Sequence, residues 1–481
     1  MSPLSPPTLV RSAFSAQSYF SDDTVAAIIT GSGGAVSLIR LSGPKSFEIL
    51  GNLIQKNPER LEARKLYRTH LYDQNTLALD DALVVRFKNP ESFTGEDIVE
   101  LHLHGGGFVA GRVMEVLLGL GARQALPGEF SFRAVRHGKS TLGQAQAIAD
   151  LIASSNQNAV SLALEKMSGA QNQMLTELAE KMRALATFSE IGIDFSDQDV
   201  EEVSLKNLKL KIPQVLEQLL KLKNSYDRGS RVQDGVKVAL IGAPNAGKSS
   251  FFNALLGEDR SIVSAIAGTT RDIVRERITL SGRSSSVTLK LEDTAGIRNS
   301  ENEIEQMGIE RSLAAARNAD LILAIVDPTA DVSDFEMIWA QLKTSLGEAL
   351  LQKTLGILTK RDLFKNTSLP LYDQLRKTGI PTWLETSAET GHGISEASEM
   401  ILDFCAKWTH RSAGEVLLTR LDHLRAVSGA IEHLSRAQET TEIDLFASDT
   451  RQALQALAPL IGDTLPDDIL GKIFSEFCIG K

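Results

Sequence analysis

Cysteine is nearly absent: Cys405 and Cys478 are the two in 481 residues, and they stand far apart. Without paired spacing they exclude a disulfide-stapled scaffold and a cysteine-rich metal module, and they suit a reducing cytosol. Long apolar runs are missing too. Residues 1–20, MSPLSPPTLVRSAFSAQSYF, hold no continuous apolar core of signal-peptide length, and no run approaches the roughly 20 residues of a membrane span. The expectation is a loose leader on a soluble, cytoplasmic protein with no membrane partner. A basic excess is also lacking. The net charge of −10 and pI near 5.5 argue against a chain that is basic throughout, although a local basic patch still permits nucleic acid. Finally, 481 residues exceed what one core organises, so two to four domains are expected.

What is present centres on GAPNAGKS, residues 242–249, which follows the apolar run 236–241 and precedes the helix-like 250–256. Strand, glycine-rich turn and helix start form a phosphate cradle. Gly242 and Gly247 let backbone N–H groups converge on phosphate oxygens. Lys248 reaches the β and γ phosphates, and the Ser249 hydroxyl ligates Mg²⁺. Asn245, Ala246 and Ser250 complete the loop and the first turn of the helix, whose positive dipole end adds to the site.

Taken in order, residues 21–137 alternate short apolar runs (25–30, 35–41, 82–87, 98–103) with turns and a helical stretch at 108–120, a small α+β domain. From 141 to about 226 the texture is helix-periodic and rich in Ala, Leu, Gln and Glu. Between 236 and about 406, strands at 236–241, 287–291, 321–326, 355–358 and 382–385 alternate with helices. That predicts a mainly parallel sheet with its ligand at the strands' carboxyl ends. Residues 417–477 are helical again and are expected beside the earlier helices. The fold class is therefore multidomain α/β and α+β: leader 1–20, α+β domain 21–137, helical domain 138–234 and 407–481, and an inserted Ras-like P-loop domain at 235–406.

Further signals in that inserted domain arrive in the order of a GTPase. GTTRD (268–272) offers Thr270 as a second hydroxyl ligand for Mg²⁺ on a loop that senses the γ phosphate. DTAG comprises Asp293, an outer Mg²⁺ partner, Thr294, Ala295 and Gly296, a backbone donor to the γ phosphate. TKRD comprises Thr359, Lys360, Arg361 and Asp362, whose carboxylate accepts the guanine N1–H and exocyclic amine; adenine lacks that pair of donors. SAE (Ser387, Ala388, Glu389) places a backbone amide at the guanine oxygen. Ras-like enzymes carry a water-orienting glutamine after the DTAG glycine. Here the position is Ile297, so water must be positioned from elsewhere. Asn245, a polar side chain inside the phosphate loop, is a candidate ligand for a monovalent cation.

Beyond the GTPase motifs stand SFTGED (92–97) followed by VELHLHGG, PGEF (127–130), LGQAQAIADLI (142–152) and a terminal FCIGK (477–481). With these the chain resembles the MnmE (TrmE) family of tRNA modification GTPases over nearly its whole length, the leader before about Ser21 excepted.

The resemblance implies a K⁺-stimulated GTPase that forms a homodimer through its N-terminal domain and whose G domains meet during hydrolysis. K⁺ would be held by Asn245 and the loop Ser264, Ala265, Ile266, Ala267, Gly268 and Thr269, in the role of an arginine finger. Within that loop Ser264, Ile266 and Thr269 are the implied ligands. The water-positioning catalytic glutamate falls on Glu305. A formyl- or methylene-tetrahydrofolate would contact Arg40, Glu100, Lys139 and Lys481. For Cys478 two roles stand open, one catalytic and one structural. The implied reaction, with the flavoprotein MnmG (GidA) as partner and tRNA as substrate, installs an aminomethyl or carboxymethylaminomethyl group at carbon 5 of the wobble uridine. Two departures stand out: Thr359 replaces the usual asparagine of NKxD, and TGSGG (30–34) lacks the prolines often found before the folate loop. The alternative is a ribosome-assembly GTPase of the Era or Der type, which should carry a KH-like RNA-binding domain, or a GTP-gated scaffold, which would not bind folate.

Overall fold

Alternation builds the N-terminal sheet. On β2 (Val36–Ser42), Ile39 and Leu41 point into the core, as do Val99, Leu101 and Leu103 on β5 (Ile98–His104). Period-two alternation then sends Arg40, Glu100 and His102 to the opposite face. With β1 (Val25–Ile28), β3 (Tyr67–Tyr72), β4 (Ala78–Phe87) and β6 (Arg123–Gln124), they form a six-stranded sheet ordered β3-β4-β5-β2-β1-β6. The helices Ser46–Ile54 and Gly107–Gly119 cover the core face through Ile49, Leu50, Leu53, Val113 and Leu117.

The computed structural model describes residues 19–31, 34–194, 204–257, 261–263, 277–282, 286–291, 313–364, 369–412, 414–461, 467–475, 477 and 480. These fall into two compact units. One is made of the described residues within Met1–Ala149, Lys166–Thr176 and Ala458–Lys481, the other of those within Asp150–Glu165 and Glu177–Leu457. Among the described residues no helix is long and apolar enough to cross a membrane.

In the first unit the PGEF turn leads into the helix Glu129–Arg136 and organises a buried ionic network. Arg133 is 1% exposed and Glu129 0%. The Arg133 guanidinium donates to Glu129 (2.9 Å), Asp23 (2.9 Å) and Glu96 (3.1 Å), while Arg123 donates to Glu129 (2.7 Å) and Asp23 (2.7 Å). The other Glu129 oxygen accepts the Leu126 N–H at 2.7 Å, so the carboxylate also pins the turn before its own helix. Gly128 has φ +66°, and a Cβ there would lie 2.7 Å from the Phe474 carbonyl oxygen. A side chain would therefore push away the helix Asp467–Ser475, whose Phe474 packs edge-on to Phe132.

Two expectations follow from this network. Removing Arg133 leaves carboxylates buried without their cation, which costs about 3–5 kcal/mol. Arg133→Met should therefore lower the melting temperature of this unit by several degrees or more in thermal unfolding; an unchanged melting temperature contradicts the account. Burial pushes the Asp23 carboxyl up, but hydrogen bonds from Arg123, Ser21 and Arg133 and the Arg123 charge outweigh it and bring it from 3.8 down to about 2. A carboxyl lowered on folding stabilises fully above its ordinary value, and the stabilisation is lost as pH falls through the folded value. Acid titration of Asp23→Asn should thus show less loss of stability between about pH 4 and 2 than the parent chain.

The second unit carries a seven-stranded sheet. Its members are β7 (Val236–Ile241), β8 (Ser261–Val263), β9 (Arg277–Ser281), β10 (Ser286–Leu291), β11 (Leu321–Val326), β12 (Thr354–Leu358) and β13 (Trp383–Glu385), in the order β13-β12-β11-β7-β10-β9-β8. From β13 to β10 the pairings are parallel, and β9 and β8 add antiparallel edges. All six residues of β11 are buried, as a central parallel strand covered on both faces requires. The long helix Leu205–Asp234 leads into β7 and packs against the helix Leu421–Glu439. The contact is close where Gly229 meets Leu418: a Cβ on Gly229 would lie 2.0 Å from the Leu418 carbonyl oxygen. Part of the helical region after the α/β fold therefore lies beside the helix before it, while the helix Asp467–Ser475 packs in the first unit.

Candidate functional site

The phosphate loop leaves the end of β7 and runs into the helix Lys248–Leu256. Two glycines are dictated by contact. A Cβ on Gly242 would lie 2.2 Å from the Ile325 carbonyl oxygen of β11, and Gly247 has φ +85° with Thr359 3.3 Å from where its Cβ would be. Asn245 also sits in the left-handed region, at φ +59°, a conformation that asparagine tolerates better than most residues, and it is exposed at the loop's outer surface. The Lys248 ammonium folds back over the loop and donates to the carbonyls of Gly242 (2.9 Å) and Ala243 (2.8 Å). Burial pulls its pKa down, so an anion beside it favours its charged form.

TKRD lies where β12 ends. Thr359 is 5% exposed, and its hydroxyl donates to the Ala246 carbonyl of the phosphate loop at 2.8 Å. The threonine in place of asparagine thus keeps a direct tie between this motif and the phosphate loop. Lys360, at φ +57°, pairs with Asp327 at 2.6 Å. The Arg361 amide donates to the Thr386 carbonyl at 2.9 Å, and its side chain pairs with Glu385 at 2.7 Å. Ser387 donates its hydroxyl to Asp362 at 2.5 Å, fixing one carboxylate oxygen. These groups border a cavity of about 700 Å³ that Gly247, Ser250, Thr359, Lys360, Asp362, Ala388 and Glu389 help to line. The phosphate loop meets TKRD and SAE, which follow it by more than a hundred residues in sequence, around one space. It has the dimensions of a small-molecule site.

The remaining sequence-predicted positions of this domain, Ser264 to Thr270, Asp293 to Gly296, Ile297 and Glu305, lie outside the described residues, as do Cys478 and Lys481. Cys405, by contrast, is fully buried against the α/β core, and burial pushes its thiol up to about 12. It is a packing residue.

In the first unit, register brings together two residues 60 positions apart. Arg40 on β2 stands directly opposite Glu100 on β5, and the side chains, both on the face away from the core, pair at 2.7 Å with 19% and 16% exposure. The Arg40 guanidinium also lies 5.3 Å from the centroid of the Phe93 ring, a residue of SFTGED that is 39% exposed. Glu100 keeps one oxygen 3.9 Å from His102, whose Nε2 is buried without a hydrogen-bond partner. Lys139 follows the helix Glu129–Arg136, and its stem lies on Gly95, where a Cβ would stand 3.4 Å from its Cε. Gly480 has φ +98°, and a Cβ there would be 3.0 Å from the Ile28 carbonyl oxygen of β1. The residue before Lys481 therefore packs on the sheet that carries Arg40. Sequence reasoning missed Phe93 and His102 here; SFTGED and the alternation of VELHLH were the available signals.

A family model described as the MnmE helical domain matches residues 142–478, and one described as the GTP-binding protein TrmE N-terminus matches residues 24–139. The tRNA modification GTPase MnmE of Protochlamydia amoebophila is 34% identical over 470 residues, covering 97% of this chain and 99% of that protein. Its namesakes from Psychrobacter arcticus and Dichelobacter nodosus are 37% and 36% identical, covering 95% and 96% of this chain and 96% and 99% of their own length. The helical match brackets the phosphate loop on both sides. The chain belongs to the MnmE family of tRNA modification GTPases.

Proposed function

We propose that this chain hydrolyses GTP to GDP and phosphate in the modification of a tRNA wobble uridine, acting with the flavoprotein MnmG on a tetrahydrofolate-borne one-carbon unit. The carrying observation is the single cavity bordered by the phosphate loop and by Asp362 with its Ser387 tether. One wall suits a polyphosphate and the other a base with adjacent N–H donors. Mg²⁺ fits the loop through the Ser249 hydroxyl at the helix start, with Thr270 as its second protein ligand. It would neutralise charge between the β and γ phosphates. K⁺ fits the exposed, left-handed Asn245, whose side chain carries an amide oxygen at the loop surface. In this reading Ser264, Ile266 and Thr269 complete the cage when two G domains pair, and Glu305 orients the attacking water.

The folate half of the proposal rests on the opposite face of the N-terminal sheet. Glu100 offers acceptor oxygens for a pterin's ring N–H and amino groups, and the buried His102 Nε2, without a hydrogen-bond partner, lies 3.9 Å from one of those oxygens. Arg40 pairs with Glu100 at 2.7 Å, while Lys139 and Lys481 supply positive charge for carboxylates. The domain plan read from the sequence, with 21–137 as the folate-binding and dimerising part, belongs to this reading. Calorimetry of the full chain with formyl-tetrahydrofolate should show binding that Arg40→Ala weakens by about tenfold or more, since that change also leaves Glu100 without its cation. Unchanged affinity in Arg40→Ala, Glu100→Ala and Lys139→Ala alike removes the folate site.

A further inference from the structure

Phe93, which lies beside the Arg40–Glu100 pair, also lines an open depression of about 640 Å³ together with Arg64, Phe87, Glu91, Ser92 and Lys139. Phe93 is its shared wall: one part of the ring lies 5.3 Å from the Arg40 guanidinium, and the ring also borders the depression. We infer that this depression takes the carboxylates of an oligo-γ-glutamate tail, so that the site is built for a polyglutamylated folate with Arg64 as its tail-binding residue. The inference rests on the folate reading above.

Three observations carry it. The first is the order of chemistry along the surface. Glu100, a carboxylate suited to a pterin, pairs with Arg40, whose guanidinium lies beside the partly exposed Phe93 ring, suited to stack on an aminobenzoyl group, and Phe93 shares the depression with two cations, Lys139 and Arg64. A folate presents pterin, aromatic ring and carboxylates in that same order. The second is how Arg64 is held. Its backbone is in the left-handed region at φ +63°, fixed by its N–H donating to the Arg86 carbonyl at 2.8 Å, and its side chain donates to the Glu91 carbonyl oxygen at 2.9 Å. The guanidinium is thus placed at the rim, while its carboxylate neighbour Glu91 stands 3.4 Å away with 75% of that side chain exposed. A pair this exposed is worth little by itself, so a ligand carboxylate exchanges for Glu91 at small cost. The third is Lys139, which forms no ion pair among the described residues. It is aimed by contacts of its own loop: His137 shares a 2.7 Å hydrogen bond with the Thr94 carbonyl, and the Lys139 amide donates to the Ala134 carbonyl at 2.8 Å.

Each γ-linked glutamate adds one α-carboxylate to the ligand. Lys139 and Arg64 are the two cations that line the depression and can meet these carboxylates. The tail therefore adds affinity through charge-assisted contacts that a monoglutamate cannot make. Such contacts at a rim weaken with salt.

The test is calorimetry of the full-length chain with formyl-tetrahydrofolate as the monoglutamate and as the tri-γ-glutamate, at low and high salt, using the parent, Arg64→Gln and Arg64→Lys. The parent should bind the triglutamate about tenfold more tightly, with the gain shrinking in high salt. Arg64→Gln should bind both forms with the parent's monoglutamate affinity, and Arg64→Lys should recover most of the gain. Equal affinity for the two forms in the parent, or an undiminished gain in Arg64→Gln, overturns the tail site and leaves the folate reading standing. Failure of the parent to bind either form overturns the folate reading itself, and the tail site with it.

Discussion

In an Asp362→Asn variant, GTP binding should fall by about 10²–10⁴-fold and XTP should take its place as substrate. Asp362 lines the cavity bordered by the phosphate loop, with one oxygen tethered by Ser387, and in the proposed reading the carboxylate meets the base there. Guanine gives it two N–H donors, and each hydrogen bond to a charged group is worth about 1.5–3 kcal/mol. An asparagine still accepts one of them but turns its amide N–H against the other. Xanthine carries an oxygen where guanine has its amine, so it satisfies that N–H. The tether does not depend on charge, and Thr359, which ties this strand to Ala246, is untouched. Competition binding of GTP and XTP reads the exchange directly. A variant that still prefers GTP shows that the base is held elsewhere.

Replacing K⁺ by Na⁺ at equal ionic strength should lower GTP turnover by a large factor, approaching the roughly thousandfold or more that an arginine finger supplies. No glutamine stands at Ile297 to orient water, so charge stabilisation and water positioning must come from other groups. A carbonyl cage sized for K⁺ leaves Na⁺ too far from part of its ligands. Asn245, exposed at φ +59° on the loop, is the described residue among the ligands proposed for that cage. Asn245→Ala should therefore lose the K⁺ response and keep nucleotide binding, because Lys248 and the loop amides are unchanged. Glu305→Ala should lose hydrolysis yet still pair its G domains in K⁺ with a transition-state mimic. Equal rates in the two salts contradict the cation, and near-normal turnover in Glu305→Ala contradicts the glutamate.

The nucleotide cavity was legible because its chemistry is local. A phosphate loop needs its glycines, lysine and hydroxyl within eight residues, and the buried parallel strands β7 and β11 are unbroken apolar runs whose limits coincide with those expected. β10 and β12, which ladder against them, and β13, which ladders against β12, were found to within a residue at each end. What went unseen has a physical cause in each case. β3 is a polar edge strand, YRTHLY, with only Leu71 buried. β6 is two residues long and is defined by its parallel pairing with β1, and β8 has three residues. The helix Ser46–Ile54 carries Gly51 in its interior, which weakens the helical signal. Arg40 and Glu100 meet through strand register, which no local spacing records; their pairing as a site came from the resemblance. Glu129 reads in the sequence as part of a helix-start turn, whereas in the fold its carboxylate holds two arginines and the Leu126 amide in the first unit's interior.

The most direct test of the account is reconstitution of this chain with MnmG, undermodified tRNA, methylene-tetrahydrofolate, GTP and K⁺, followed by mass spectrometry of the tRNA nucleosides. The account predicts an aminomethyl or carboxymethylaminomethyl group on carbon 5 of the wobble uridine. It should form with the parent chain and be lost or strongly reduced when folate is omitted, when K⁺ is replaced by Na⁺, or when Glu305→Ala is used. Unmodified uridine in the complete mixture, or the same modification in the absence of this chain, would contradict it.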